Sequence, residues 1–421
     1  RRELEGLLRS GRLRGLAATT ALELGIDISG LDAVLLAGWP GTLSSFWQQV
    51  GRAGRAGRSA LAVLVAGDDP LDRYLVEHPQ AIFDRPVEAA VLDLANPHLL
   101  GPHLACAARE VPIRPDEAEE AFGAAAPQVL ADLTAHRVLR RRPDGWYWPH
   151  PHRPSDEVAL RGVGPTLRIV ERRTGRVLGF VEQARADVTV HLGAVYLHQG
   201  QPYVVVERDD DALAAVVVAG DPGWSTVART VTECALGAVR ADTYLGRLRM
   251  SLGEVSVRSR VTSFLRRRAD GTVLGEHPLD LPQRRLDTVG LWWTMTEPPV
   301  TGVRLAGALH ALEHASLALL PLVAGADRRD VGGLSSPSHP DTGLPTVLVH
   351  DGYPGGAGFS ERAYAARARW LAAARAAVAQ CGCAAGCPSC VQSAACGQGN
   401  SPLDKAGALA LLEQIAECLG E

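Results

Sequence analysis

The sequence predicts a chain of α/β plus mixed α+β class, and three observations carry that expectation. Short apolar runs at 33–37 and 60–66 flank a helical stretch at 43–50, which is the order of a parallel sheet with crossover helices. Three helical segments and a turn-centred hairpin follow between about 99 and 148, suggesting a winged-helix-like module. Alternating β-formers dominate from about 158 to 295, and helices return beyond 299 around a dense group of cysteines. Domains are therefore expected at 1–85, 86–155, 156–298 (a β-rich barrel or sandwich) and 299–421 (a cysteine-bearing α/β domain).

Each element has its own signal. Leu4, Leu7 and Leu8 form a helical face, a strand-like run covers 13–19, and 69–77 reads as a further helix. Helical patterns at 99–109, 117–122 and 128–136 lead into Arg140-Arg-Arg-Pro-Asp-Gly-Trp-Tyr-Trp148, where Pro143-Asp144-Gly145 marks a turn between strand formers. Strands are expected at 167–171, 177–181, 188–191, 203–207, 214–218 and 255–262. Residues 303–323 read as an amphipathic helix, 346–350 as a strand, 359–379 as a long helix and 403–418 as a last helix. The glycine loop 351–358 sits where a helix N-terminus cradles phosphate, but it lacks a lysine, and a tight turn is the simpler reading.

With 46% hydrophobic and 21% charged residues, the composition is that of a globular protein. The net charge of −4 argues against a protein that coats nucleic acid by bulk charge, while leaving a local basic groove open. No long apolar run stands out as a membrane span and no signal peptide is evident, so a cytoplasmic protein with no membrane partner is expected. The charged, periodic first residues suggest that the chain begins mid-domain. Lys405 is the only lysine. Five of the eight cysteines lie between Cys381 and Cys396, which suits one metal site better than a disulfide framework.

The most specific stretch is Ala18-Thr-Thr-Ala-Leu-Glu-Leu-Gly-Ile-Asp-Ile28 with Gln48-Gln-Val-Gly-Arg-Ala-Gly-Arg55. It resembles motifs V and VI of superfamily II helicases. Arginines delivered from a second domain stabilise charge developing on a transferred phosphoryl group. The resemblance makes Arg52 and Arg55 the arginine fingers and Gln48, Gly25 and Asp27 the nucleotide contacts. It places Thr19 and Thr20 on the DNA backbone. The sequence holds no Gly-x-x-x-x-Gly-Lys-Ser/Thr loop and no Asp-Glu-x-His magnesium motif, so this chain is not expected to hydrolyse ATP alone.

Cys387-Pro-Ser-Cys390 is a C-x-x-C knuckle, and flanking thiols complete a closed tetrahedral shell of structural type. The expected zinc ligands are Cys383, Cys387, Cys390 and Cys396, with Cys381 as the alternative to Cys383. An iron–sulfur cluster and a redox pair at Cys387/Cys390 are the competing readings. His310-Ala-Leu-Glu-His314 fits the inverted zinc-protease pattern H-x-x-E-H, but no third ligand follows it, and packed structural histidines are the preferred reading. Arg137, Arg140, Arg141 and Arg142 are expected to neutralise DNA phosphates and Trp146 to stack on an unpaired base, unless the aromatics fill the module's own core.

Together these features resemble the bacterial mitomycin-repair helicases of the YprA/MrfA type, related to eukaryotic RecQ4-like helicases. The resemblance runs over nearly the whole chain and is strongest at 18–58, Asp327-Arg-Arg-Asp330, 351–358 and 386–405. Ala326 departs from it, standing where the family often has a cysteine. The resemblance implies a partial RecA-like motor domain at 1–85, working against the protein's own N-terminal motor domain. It also implies ATP and magnesium dependence, 3′-to-5′ movement on single-stranded or forked DNA, a zinc-binding C-terminal domain and a role in DNA repair; a monomer is expected. The alternative is a catalytically inactive, motor-derived DNA-binding module.

Overall fold

The structure, a computed structural model, describes residues 2–23, 31–54, 59–156, 158 and 165–420. Near the start, strands Ala33–Ala37 and Leu61–Val65 pair in parallel across the helix Leu43–Val50. That helix is capped twice. Thr42 Oγ1 accepts from Ser45 N at 3.1 Å, and the Glu88 carboxylate accepts from Leu43 N at 2.6 Å and Ser44 N at 3.2 Å. The carboxylate thus satisfies orphan donors and places negative charge at the positive end of the helix dipole. Asp69 caps the next helix, Pro70–Glu77, in the same way. Residues 13–19 form no strand, because no described strand lies alongside to pair with them.

Helices Pro97–Glu110, Ala118–Phe122 and Ala126–Ala135 lead into the hairpin strands Arg140–Arg142 and Gly145–Tyr147. This module has its own core, with Leu104, Leu130, Leu139 and Ile113 at its centre. It is the winged-helix arrangement expected from sequence.

The β-rich region, expected as a barrel or sandwich, contains two sheets. Five strands run in the order Val177–Glu182, Thr166–Glu171, Ala214–Ala219, Gln201–Asp209 and Val195–His198, with one parallel pair. Residues 183–189 form a helix, where the sequence predicts a strand at 188–191. The reason is the buried pair Ala186 and Val190, spaced four apart as on one helical face, with exposed Val188 between them. The second sheet is built on the long hairpin Ser225–Leu245 and Leu248–Arg267, whose register shifts near Leu236 and Val239 mark bulges that bend it. It continues through Arg284–Met295 to Thr346–Asp351 and Val331–Ser336. The boundary expected at 298 therefore runs through a single sheet.

The helix Val303–Leu319, extended by Pro321–Ala324, is the spine of the C-terminal part. By length and composition alone the stretch Val303–Ala324 qualifies as a membrane span, contrary to the sequence expectation; 72% of its most apolar 18 residues are buried inside the protein, which makes it a core helix. It is also buried nearly all round rather than amphipathic. The expected helix at 359–379 is broken at Ala366 into Phe359–Ala365 and Arg367–Gln380. The largest core joins Leu36, Phe46, Leu71 and Leu75 of the first segment to Trp293, Leu309, Trp370 and Leu412. The first segment and the cysteine domain thus share one hydrophobic interior.

One buried ion cluster ties the two sheets. Asp187, 3% exposed, binds Arg208 and accepts from Arg284 Nε at 2.8 Å. Burial acts to raise its pKa, but hydrogen bonds from Arg284 and Arg208 outweigh that and hold the carboxyl below the usual range. Asp187→Ala, which leaves Arg284 without its carboxylate and Arg208 with Asp210 alone, is expected to cost about 3 kcal/mol in chemical denaturation. The stabilisation from the charge is present above the ordinary carboxylate pKa and fades as pH falls through the depressed native value. The gap between the parent and Asp187→Asn should therefore narrow in acid; a gap constant with pH would contradict the charge-based account.

Candidate functional site

The helix Arg367–Gln380 delivers the chain into Cys381, and a short loop returns through Cys383, Cys387 and Cys390. All four sulfurs lie within 4.8 Å of one another. The separations are 3.6 Å for Cys381–Cys383, 3.5 Å for Cys381–Cys387, 3.5 Å for Cys383–Cys390 and 3.8 Å for Cys387–Cys390. A tetrahedral zinc with Zn–S near 2.3 Å sets sulfurs about 3.8 Å apart, so the four thiols fit one ion. The Cys390 sulfur also accepts from Cys387 N at 3.3 Å. The expected ligand set needs correction. Cys381 and Cys383 both belong to it, and Cys396 does not; its sulfur instead sits 3.4 Å from His310 Nε2.

The reason is Lys405, which no sequence motif ties to the cysteines. Its Nζ donates to the carbonyls of Cys381 and of Cys383, the latter at 2.7 Å. Pinning both carbonyls turns both side chains inward, which spacing alone does not foretell. The only lysine in the chain therefore sits at the N-terminus of the helix Lys405–Leu419 as a clamp on the cysteine loop.

In the first segment, Arg52 is half-buried and donates to the Glu23 carbonyl. The Glu23 carboxylate accepts from Ser45 Oγ at 2.7 Å and from Gln49 Nε2 at 2.9 Å. Leu31 N donates to Arg52 O at 3.1 Å and Gly54 N to Leu31 O at 2.8 Å. These bonds knit the two helicase-like motifs into one unit, and Glu23 and Gln49 are the residues that sequence reasoning missed there. Gln48 is exposed and loosely bound to Ser44 Oγ at 3.4 Å; Thr19 and Thr20 are exposed. Gly25, Asp27 and Arg55 lie outside the described residues.

On the hairpin, Arg137, Arg140, Arg141 and Arg142 are all exposed. Trp146 is not: it is 7% exposed and belongs to the module's core. Trp146 exchanges backbone hydrogen bonds with Ile113, at 2.9 and 3.0 Å, and that pairing turns its side chain inward. Arg141 covers the ring at 4.7 Å and Arg142 covers Tyr147 at 4.4 Å. Burial thus removes the stacking role expected for Trp146, while the arginine face stands.

The glycine loop is a turn with its own anion. The Asp351 carboxylate, fully buried, accepts from Ala357 N, Gly358 N, Phe359 N and Ser360 N at 2.7–3.2 Å and from Ser360 Oγ at 2.6 Å. The donors a phosphate would use are taken. A side chain at Gly355 would put its Cβ 2.5 Å from Asn96 Oδ1. Asn96, buried at the start of the winged-helix module, donates to the carbonyls of Pro354 and Gly356 at 2.8 and 2.6 Å.

Three family descriptions match the chain: "Helicase conserved C-terminal domain" at residues 1–57, "ATP-dependent helicase HRQ1, winged helix domain" at 92–163 and "MrfA Zn-binding domain" at 312–391. The ATP-dependent helicase YprA of Bacillus subtilis (strain 168) is 32% identical over 93% of this chain and 53% of its own length. The helicase hrq1 of Schizosaccharomyces pombe is 30% identical over 99% of this chain and 41% of its own. A crystal structure of the DUF1998 helicase MrfA bound to DNA superposes with a TM-score of 0.62 at 32% identity, covering 98% of this chain and 56% of that one. The chain is similar to the MrfA/YprA-type superfamily II helicases. It matches their C-terminal part and spans about half the length of the curated relatives it matches.

The segment 312–391, matched by the MrfA Zn-binding domain, contains all four clustered thiols, and the centre is a structural zinc site. Its closed sulfur shell leaves no open position, and the short sulfur separations suit a single ion rather than an iron–sulfur cluster. Cys390→Ser is expected to release zinc and destabilise the C-terminal part of this chain, because metal binding contributes folding free energy. Lys405→Met should keep all four thiols yet weaken zinc affinity by about tenfold, since the bonds that orient two of the ligands are removed. Competition against a chromophoric chelator reads both; an unchanged affinity in Lys405→Met would contradict the clamp.

Proposed function

We propose that this chain is the C-terminal portion of an ATP-dependent 3′–5′ DNA helicase acting in DNA repair. The observation that carries the reading is the motif V–motif VI unit, in which Arg52 is docked on Glu23 at the edge of a parallel sheet, within a segment that shares a core with the zinc domain. The similarity to helicases over nearly the whole chain supports it. An MrfA solved with DNA and AMPPNP, at 31% identity and a TM-score of 0.59, supports binding of nucleic acid and nucleotide.

In this reading Arg52 and Arg55 complete an ATP site whose phosphate loop and magnesium ligands come from the protein's own N-terminal motor domain. Gly25, Asp27 and Gln48 contact the nucleotide, and Thr19 and Thr20 the DNA backbone. The phosphate-loop pattern is not in this sequence, so the chain by itself binds DNA without hydrolysing ATP. Its thiols form a metal cluster rather than disulfides, which agrees with a cytoplasmic protein. The exposed arginines of the hairpin grip phosphates and position the duplex end; base stacking falls to other residues, since Trp146 is buried.

Two measurements test this. In the protein carrying both motor domains, Arg52→Ala should lower DNA-stimulated ATP hydrolysis by about three orders of magnitude while DNA binding persists. Near-parental turnover would remove the finger assignment and favour a motor-derived binding module. Replacing Arg140, Arg141 and Arg142 together should weaken forked-DNA binding and lower its salt slope by about 0.9 for each phosphate no longer neutralised. Identical binding across a salt titration would exclude this face as the one that holds DNA.

A further inference from the structure

We propose that His310, His314 and Cys396 hold a second metal ion, a zinc distinct from the four-thiol centre. The two histidines are four apart on the helix Val303–Leu319 and so share a face, with ring centroids 4.3 Å apart. Both are buried, at 6% and 7% exposure. Cys396 reaches them from the loop beyond the zinc knuckle. The three ligand atoms all lie within 4.8 Å of one another, with Cys396 Sγ 3.4 Å from His310 Nε2. A tetrahedral zinc with Zn–S near 2.3 Å and Zn–N near 2.05 Å places sulfur and nitrogen about 3.6 Å apart.

The surroundings are those of ligands held in advance. His310 Nδ1 faces the Pro402 carbonyl at 2.9 Å, and His314 Nδ1 faces the Val391 carbonyl at 2.8 Å. A ring nitrogen against a carbonyl must carry the proton, which leaves each Nε2 as a lone pair. Cys396 Sγ accepts from Asn400 N at 3.3 Å. Asn400 in turn braces the loop, its side chain bonding Ser393 N at 2.8 Å and Ser393 O at 2.9 Å. Two imidazole lone pairs and a sulfur therefore converge in a buried space with one thiol proton among them. A divalent cation satisfies all three acceptors at once; that proton does not.

Glu313 is not part of the set. It is turned toward the strand Val331–Ser336, where a Cβ on Gly333 would meet its Oε1 at 3.0 Å. With its carboxylate directed away from the fourth position, the H-x-x-E-H run lacks a general base aimed at a metal-bound water, and the ion acts as a clamp. It fastens the loop 393–402 to the spine helix, next to Val391 and hence to the first zinc. Cys396 also lies beyond the matched zinc-binding segment, which ends at residue 391.

The test is metal content by mass spectrometry of this chain after exhaustive dialysis, with zinc alone supplied. Two zinc ions per chain are expected. Cys396→Ser and, separately, His314→Gln should each bind one, and cobalt substitution of either variant should retain the intense thiolate-to-cobalt bands of the four-sulfur centre. The parent itself binding one zinc, with content unchanged in Cys396→Ser, would overturn the proposal. Should a variant fail to fold, the parent stoichiometry and the other variant decide.

Discussion

The helix Val303–Leu319 is the constraint on which the rest of the C-terminal half depends. A helix buried nearly all round must be covered on every face, and each cover comes from a different part of the chain. The strands Val331–Ser336 and Thr346–Asp351 lie on one side, the helices Arg367–Gln380 and Lys405–Leu419 on others, and Leu71 and Leu75 of the first segment join the same core. Three of its polar groups are paired in place: His310 and His314 with backbone carbonyls, and the Ser316 carbonyl with Trp370 Nε1 at 2.8 Å. The metal centre is therefore anchored to the interior that also supports the motor segment.

That anchoring is made concrete by Arg73. It lies on the helix Pro70–Glu77 and donates to the Gln380 carbonyl at 3.0 Å, one residue before the first zinc thiol. Arg328 adds an ion pair to Asp69 at the start of the same helix. On the other flank, Asn96 bonds the glycine loop and Arg362 donates to the Ala89 carbonyl at 3.0 Å, so the linker into the winged helix is held by the zinc-bearing half. A zinc domain placed in this way is tied to the first segment and to the linker that leads into the winged helix.

What is legible in the sequence is local. The run 43–50 reads as a helix and 33–37 as a strand because apolar spacing and caps act within a few residues. Pro143-Asp144-Gly145 announces the arginine-rich hairpin. What is not legible depends on partners far along the chain. Asn96 and Pro354 are 258 residues apart, and His310 and Cys396 are 86 apart. Trp146 reads as a stacking platform because its neighbours are arginines, and only the pairing with Ile113 turns it inward. Cys396 reads as a zinc ligand, with only one of Cys381 and Cys383 beside it, because spacing does not reveal that Lys405 draws both to one ion.

The central claim is that the zinc centre and the motor segment share one cooperative interior, separate from the winged helix. Hydrogen exchange before and after removal of zinc by a chelator tests it most directly. The account predicts that amides of Val303–Leu319 and of Pro70–Glu77 lose protection together, while those of Pro97–Glu110 keep theirs. Loss confined to the loop around residues 381–400, with the motor segment's helix unchanged, would contradict it.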